Sequence, residues 1–268
     1  GPTSVTVGTR VNVTGASFKA GEANIIVTYD GAEVASGLTA GANGDWTASF
    51  SVPASPMGSH LVGASGSITP AAMVAAVTIN VTPAMTITPS SGFVSTPITV
   101  TGTGFTANRA VTITYEGASI SVTPRPSTNA QGSFTASFAA PRSKGGQHKV
   151  TATDGVASRE AVWSMDSTAP PVPKLTSPGS GQRISLFGNV PVTFRWSEVT
   201  DPSGVYYTLE LDTLPDFPKP ILRKENLTST NCTTGGPLPY GSYYWRIKAI
   251  DGAYNESSEI VYKRKKSI

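Results

Sequence analysis

The sequence contains little of what catalytic and metal-binding proteins usually depend on. A single cysteine, Cys232, excludes an intramolecular disulfide and any metal site built from several cysteines. No nucleophile elbow, phosphate-binding loop, zinc-helix motif or EF-hand loop is present. We therefore expect no catalytic residue, no resident cofactor and no enzymatic activity.

Charge and long apolar runs are also scarce. Only 14% of the residues are charged and the net charge is +3. A nucleic-acid-binding protein would show a clustered basic face, whereas the one basic run here is Lys263–Lys266 at the C-terminal end. The longest apolar stretch, Ala71–Ile79, is too short for a membrane span. The composition thus predicts neither a nucleic-acid partner nor a membrane-spanning segment.

What the sequence has in quantity is serine, threonine and turn-forming residues. Ser and Thr make up about a quarter of the 268 residues, and there are 27 glycines and 21 prolines. Helical periodicity is absent, and short apolar–polar alternations recur throughout. This pattern indicates an all-β protein, and the length suits two or three domains of roughly 80 to 100 residues each.

A tandem repeat organises the first two thirds of the chain. Val11–Phe18 and Ile98–Phe105 share one pattern, in which alternate apolar residues are followed by a glycine that we expect to bend the backbone and a phenylalanine that packs on the core. Gly44–Phe50 matches Gly132–Phe138, and the only two histidines, His60 and His148, fall at equivalent positions. We interpret these histidines as strand residues shared through duplication and not as ligands.

Each copy contains six or seven short strands, which predicts a β-sandwich, but the first copy begins late. The second copy opens with Ala84–Thr88 ahead of Pro89, whereas only Gly1 precedes Pro2. A missing first strand would leave an unpaired edge that a neighbouring subunit could cover by β-strand addition. The contact residues predicted for this assembly are Val5 and Val7 on the acceptor and Ile260 and Tyr262 on a donor strand within Glu259–Ile268. The alternative is that the sequence is an excerpt of a longer array.

The second copy resembles the IPT/TIG type of immunoglobulin-like domain. The resemblance is carried by Ile87–Gly92, Ile98–Phe105 and Val111–Gly117. The first copy departs from it where Ala16–Ser17 replaces Thr103–Gly104. This resemblance implies an immunoglobulin-like fold and no particular function.

Beyond the Pro-rich segment Ser167–Pro173 the pattern changes. Further strands and a turn are indicated by the alternating residues Val192, Phe194 and Trp196, by Tyr207, Leu209 and Leu211, and by Leu238–Ser242 leading into Tyr243–Ala249. With this pattern, residues 168–268 resemble a fibronectin type III domain. The resemblance implies that Trp196 is the core tryptophan and that Tyr243 is the tyrosine-corner residue, bonded to backbone near Leu238. The expected architecture is three tandem immunoglobulin-like β-sandwiches, with domains at 1–82, 83–167 and 168–268.

Few residues stand out as binding candidates. Asp201, Asp251 and Asn255 are candidate calcium ligands, although the same residues are ordinary turn formers. Aromatic residues of the third domain suit either sugar stacking or strand packing, and packing is favoured: Tyr206, Tyr244 and Tyr254. Five Asn-X-Ser/Thr triplets are candidate glycosylation sites in a secreted chain: Asn12, Asn80, Asn226, Asn231 and Asn255.

These observations favour a non-enzymatic structural or adhesive protein of the extracellular cell surface, assembling into a surface layer or filament. Its expected partners are other copies of itself or neighbouring surface proteins, with glycans as a further class. The alternative function is an accessory carbohydrate- or protein-binding region of a larger secreted enzyme or receptor.

Overall fold

The computed structural model describes residues 4–181, 191–239 and 241–264. Across these ranges the chain forms β-strands and one short 3-10 turn at Ala71–Met73, without any α-helix. The all-β expectation is confirmed. Within the same ranges, no helix is long and apolar enough to cross a membrane.

The first sandwich packs a five-stranded sheet on a two-stranded one. The sheet orders are β1-β7-β6-β3-β4 and β2-β5. Apolar side chains at alternate positions, such as Ile25, Val27 and Phe50, meet in one core. The strands are β1 (Ser4–Val5), β2 (Arg10–Gly15), β3 (Ile25–Tyr29), β4 (Ala32–Leu38), β5 (Trp46–Ser51), β6 (Gly58–Ser65) and β7 (Val77–Val81).

The second sandwich repeats this topology and adds one strand. Its five-stranded sheet, β12-β11-β14-β15-β9, matches that of the first sandwich, while its other sheet, β13-β10-β8, gains β8. Phe134, Ala136 and Phe138 are buried at alternate positions, as the repeat predicts. The strands are β8 (Ala84–Thr88), β9 (Ser91–Gly92), β10 (Pro97–Thr103), β11 (Thr112–Tyr115), β12 (Ala118–Ser119), β13 (Phe134–Ala139), β14 (Gly146–Thr153) and β15 (Ser158–Met165).

The third sandwich has sheet orders β16-β17-β20 and β19-β18-β21-β22. Trp196 is 4% exposed in its core, and the Tyr243 hydroxyl donates to the Pro239 carbonyl at 2.8 Å. Both placements agree with those implied by the fibronectin type III resemblance. The strands are β16 (Leu175–Ser177), β17 (Thr193–Trp196), β18 (Val205–Asp212), β19 (Leu222–Leu227), β20 (Asn231–Thr233), β21 (Tyr243–Asp251) and β22 (Ile260–Arg264).

By compactness the chain divides into two units. One comprises residues 1–89, 98–138 and 149–163, and the other comprises residues 90–97, 139–148 and 164–268. The division passes through the second sandwich, whose residues group partly with the first and partly with the third. We call the latter group the C-terminal unit.

The repeat glycines are required for packing and not for bending. Gly15 pairs directly with Trp46 across β2 and β5, and a Cβ on Gly15 would lie 2.1 Å from the Trp46 ring. A Cβ on Gly102 would lie 2.1 Å from the Phe134 ring. The left-handed backbone that turns the chain falls two residues later, at Ser17 (φ 66°) and Gly104 (φ 65°). The expectation that Gly102 bends the backbone is therefore wrong, because its role is to make room for the Phe134 ring. Its position in the repeat is as expected.

The two histidines have equivalent structural bonds, as their repeat positions predict. His60 Nε2 lies 2.9 Å from the Pro56 carbonyl, and His148 Nε2 lies 2.6 Å from the Lys144 carbonyl, four residues upstream in each case. His60 Nδ1 also lies 2.6 Å from Asp30 Oδ2. These contacts tie each histidine to a nearby loop.

In each sandwich one carboxylate accepts hydrogen bonds from two neighbouring loops. In the first copy this carboxylate belongs to the loop after β2, whereas in the second copy it belongs to the loop after β14. In the first copy Glu22 accepts hydrogen bonds from the amides of Lys19, Ile68 and Thr69. In the second copy the corresponding amides of residues 106, 156 and 157 donate to Asp154. Asp154 aligns with Gly66, where a Cβ would lie 2.3 Å from Glu22 Oε1. Each copy therefore has one carboxylate at this place, and in the first copy Gly66 leaves the space that the Glu22 carboxylate occupies.

Glu22 should make the stability of the first sandwich fall in acid. Burial acts to raise the pKa of Glu22, but the hydrogen bonds from Thr69, Ile68 and Lys19 outweigh it and lower the pKa to about 2. Because the folded pKa lies below the ordinary 4.5, this stabilisation is present above pH 4.5 and is lost as the pH falls towards 2. Thermal unfolding between these pH values should show a smaller decline for Glu22→Gln than for the wild type.

The matched control for this prediction is Glu33→Gln. Glu33 is exposed on β4, so its replacement should leave the acid dependence unchanged. Equal pH profiles for the wild type and Glu22→Gln would show that Glu22 does not control acid stability.

Candidate functional site

The first candidate site is the free edge of β2. In the second sandwich β8 runs antiparallel along β10, from Thr99 opposite Thr88 to Thr103 opposite Ala84. In the first sandwich β2 pairs with β5 only. Among the residues that the structure describes, no strand covers the other edge of β2. This edge presents unpaired backbone groups of the kind that pair with another chain.

Val5 and Val7 were predicted as partner contacts, and the structure places both in the core. Val5 is 5% exposed, and β1 pairs in parallel with β7 through Val5 and Val81. Val7 packs partly buried against the same core. These side chains stabilise their own sandwich, so the acceptor feature is the backbone of β2.

The predicted donor strand is also occupied. Ile260 and Tyr262 lie on β22, which pairs along its length with β21 of the same sandwich. The Tyr262 ring meets the Trp245 ring edge-on at 6.4 Å. Residues 260–264 therefore pair within the third sandwich through one of their two edges, and donation of this strand to another chain stays a prediction. Residues 265–268 lie outside the described ranges.

The second candidate site is a cluster of carboxylates in the C-terminal unit. Asp166 directly follows β15, Asp201 lies in the loop after β17, and Asp251 ends β21. One carboxylate oxygen from each lies within 4.8 Å of the others. Asn255 adjoins the cluster, since its Nδ2 donates to Asp251 Oδ2 at 2.7 Å and to the Asp166 carbonyl at 3.1 Å. The structure thus brings together all three predicted calcium candidates and adds Asp166.

The same residues also form turns, as the sequence indicated. Asp201 Oδ1 accepts the Ser203 amide at 2.8 Å, and Asp251 Oδ1 accepts the Asn255 amide at 2.8 Å. Asp251 is fully buried. Burial raises the pKa of Asp201, and the nearby charges of Asp251 and Asp166 raise it further, while the Ser203 amide opposes the shift. These carboxylates therefore occupy an electrostatically unfavourable arrangement.

The third candidate site is an open groove of about 350 Å³ on the sheet β19-β18-β21. Arg142 lies at its end, with its guanidinium carbon 4.9 Å from the centre of the Tyr206 ring and 4.4 Å from that of Tyr254. These tyrosines therefore pack against an arginine, which favours the packing interpretation. The other lining residues are Thr208, Glu210, Arg223, Glu225, Asn226, Arg246, Lys248, Ile250 and Glu256.

A buried glutamate compensates the positive charge in this groove. Glu210 is 4% exposed, and its two oxygens lie 2.9 Å from Arg223 Nη1 and 2.6 Å from Arg246 Nη2. Arg246 also pairs with Glu259 at 2.6 Å and lies over the Phe217 ring. The groove is thus a network of paired charges, suited to polar contacts with a ligand.

The candidate glycosylation sites differ in accessibility. Asn255 is half-buried and bonded to Asp251, so a glycan there would break that contact. The other four candidates are exposed: Asn12, Asn80, Asn226 and Asn231.

The sheet pairings define a tandem array of β-sandwiches of the immunoglobulin class. Residues 84–166 match the IPT/TIG domain family, and this segment coincides with the second sandwich. A search among curated proteins finds no significant sequence match. The family match confirms the resemblance for the second copy alone.

Solved structures of tandem domain arrays are similar to this chain at low identity. Fibronectin(III)-like modules of Clostridium thermocellum CbhA are 16% identical, with 68% of this chain and 95% of that chain covered and a TM-score of 0.33. A titin fragment is 12% identical, with 98% and 96% covered and a TM-score of 0.32. The Yersinia pseudotuberculosis adhesin InvE is 12% identical, with 68% and 58% covered and a TM-score of 0.36. The fold assignment rests on the sheet pairing, because these scores are low.

Two features of these candidate sites were not predicted from the sequence. Asp166 directly follows a strand, and no motif distinguishes it from any other residue at the start of a linker. Arg142 and Tyr254 are 112 positions apart in sequence, and only folding brings them together. The one sequence signal for Asp166 is its position just before the Pro-rich segment, where a domain boundary was expected.

Proposed function

We propose that this chain is a non-enzymatic structural or adhesive segment of a protein displayed on the outside of a cell. The observation that carries the proposal is the edge of β2 that no described strand covers, whereas β8 covers the corresponding edge of the second sandwich. In a surface layer or filament, an extended segment from a neighbouring chain would cover β2 by β-strand addition. The neighbour is another copy of this chain or an adjacent surface protein.

Contacts between successive sandwiches support a structural role. Between the first and second sandwiches, the Met57 amide donates to the Phe105 carbonyl at 3.0 Å, and Arg159 Nε donates to the Pro83 carbonyl at 2.7 Å. Within the C-terminal unit, Arg142 Nε donates to the Gly252 carbonyl at 3.1 Å. Hydrogen bonds of this kind restrict movement at a junction, whereas a Gly/Ser-rich linker would leave it free. Restricted junctions suit a protein that transmits force or sets a spacing.

The second sandwich shows what a strand on β2 would look like. In β8, Met85 and Ile87 are half-buried, and Thr86 and Thr88 are exposed. An acceptor edge of six residues, Arg10–Gly15, would therefore favour a donor with apolar residues at alternate positions. Backbone hydrogen bonds would supply affinity and the alternate side chains specificity.

A synthetic peptide copying residues 83–90 tests the proposal on the intact chain. We expect saturable binding in a fluorescence-anisotropy titration, and protection of the amides of Arg10–Gly15 from hydrogen exchange in the complex. The matched control carries proline at the position of Thr86, which removes a central N–H, and it should bind at least about tenfold more weakly. Absence of binding, or protection confined to other strands, would rule out β2 as an acceptor.

The second candidate function is an accessory binding region of a larger secreted enzyme or receptor. The groove on β19-β18-β21 supports it, since paired charges line this groove together with Tyr206 and Tyr254. Such a lining suits polar ligands, including glycans or a charged segment of a protein. Glycan binding at this groove, with no peptide binding at β2, would favour this function over assembly.

A further inference from the structure

Three carboxylates meet in the C-terminal unit. One oxygen each of Asp166, Asp201 and Asp251 lies within 4.8 Å of the other two. Lysine and arginine ion pairs are found at several other acidic residues, but at none of these three within residues 4–181, 191–239 and 241–264. Asp251 is fully buried, and like charges at this separation repel, so a bound cation at this point would be stabilised by all three carboxylates.

Two buried oxygens here lack hydrogen-bond partners. Asp166 Oδ1 accepts the Thr168 amide at 3.0 Å, but Asp166 Oδ2 is buried and has no partner. Ser203 is 9% exposed, and its buried Oγ has no partner either. Ser203 stands between the two loops of the cluster, since its amide donates to Asp201 Oδ1 and its carbonyl accepts the Gly252 amide. Unpartnered buried oxygens of this kind are rare, and a cation or a water molecule would satisfy them.

We propose that Asp166, Asp201 and Asp251 bind a calcium ion. The donor set consists of oxygen atoms, which suits a hard cation and not a transition metal. Oxygens bound to one Ca²⁺ at about 2.4 Å lie at most about 4.8 Å apart, and the three carboxylates meet this limit. Three carboxylates supply up to six oxygens, and water or the Ser203 hydroxyl completes the coordination. Asn255 orients Asp251 by donating to its Oδ2.

Calcium would connect two sandwiches. Asp166 ends the second sandwich, directly after β15, whereas Asp201 lies in a loop of the third and Asp251 is the last residue of β21. All three lie in one compact unit, together with Arg142, whose Nε bonds the Gly252 carbonyl beside Asp251. The ion would neutralise the repulsion at this junction and make its stability depend on calcium concentration.

The test uses the full chain, freed of metal with a chelator and titrated with CaCl₂ by calorimetry, with thermal unfolding measured in parallel. We expect saturable binding and an increase in the unfolding temperature with calcium, and a much smaller effect of MgCl₂ at the same concentration. Asp166→Asn and Asp201→Asn should each weaken binding at least about tenfold. Asp216→Asn, which changes an exposed aspartate of the third sandwich, is the matched control and should bind as the wild type does.

A second readout separates metal binding from a purely structural role of Asp166. In chelator, Asp166→Asn removes repulsion without removing a hydrogen bond to Oδ2, so it should unfold at the same temperature as the wild type or higher. With calcium present, Asp166→Asn should unfold at a lower temperature than the wild type. Absence of calcium binding at about 10 mM, an equal response to magnesium, or unchanged binding by Asp166→Asn would overturn the proposal.

Discussion

Replacing Gly15 by alanine should destabilise the first sandwich by about 3 kcal/mol. The new Cβ would lie 2.1 Å from Cε2 of Trp46 and 2.3 Å from its Cζ2, far inside contact distance. Trp46 is 7% exposed and its ring meets the Phe18 ring edge-on at 5.6 Å, so the ring has little room to move. Urea-induced unfolding of the full chain, followed by tryptophan fluorescence, measures the loss.

Gly41→Ala is the matched control in the same sandwich. A Cβ on Gly41 would meet only the Asp45 carbonyl, at an ordinary 3.5 Å. This substitution should change the free energy of unfolding by less than about 1 kcal/mol. The repeat offers an independent test, since Gly102→Ala should be as costly as Gly15→Ala because of Phe134. Equal stabilities of Gly15→Ala and Gly41→Ala would show that the Trp46 ring moves aside at little cost in free energy.

Replacing Glu210 by alanine should cost about 3 kcal/mol of folding free energy in the third sandwich. Glu210 accepts hydrogen bonds from Arg246 Nε at 2.6 Å and from Arg223 Nη1 at 2.9 Å. The Arg246 side chain is 17% exposed, so loss of Glu210 leaves a largely buried guanidinium with Glu259 as its remaining acidic partner among the described residues. Chemical denaturation of the variant checks the value.

The control for Glu210 is Glu225→Ala. Glu225 also pairs with Arg223, at 2.6 Å, but both of these side chains are more than half exposed. Solvent screens such a pair, and its loss should cost less than about 1 kcal/mol. A double-mutant cycle of Glu210→Ala with Arg246→Met should reveal coupling. Equal costs for Glu210→Ala and Glu225→Ala, or additive effects in the cycle, would show that burial does not strengthen the network.

Local sequence predicted the strands because side-chain alternation reports which face of a strand is buried. Phe134, Ala136 and Phe138 alternate with polar residues and are buried as predicted. Trp196 and Tyr243 also occupy the places implied by the fibronectin type III resemblance. These features depend on residues within a few positions of one another, and the sequence displays such relations directly.

Predictions about edges and contacts were less successful. Ile260 and Tyr262 have the pattern of a strand, but pattern alone does not say which neighbour a strand pairs with. Val5 likewise reads as an apolar strand residue, and only the fold shows that it faces its own core. A short apolar alternation is compatible with an intramolecular or an intermolecular sheet, because both satisfy the same backbone groups.

The sequence by itself determined an all-β chain, a strand pattern that recurs in its first two copies, and the candidate turn residues Asp201, Asp251 and Asn255. The tertiary structure decided that these residues meet Asp166, that Arg142 packs between Tyr206 and Tyr254, and that β22 is already paired. The physical reason is the distance along the chain over which each kind of interaction acts. Strand periodicity is local, whereas repulsion between carboxylates and the pairing of strand edges depend on distances that only the folded chain sets.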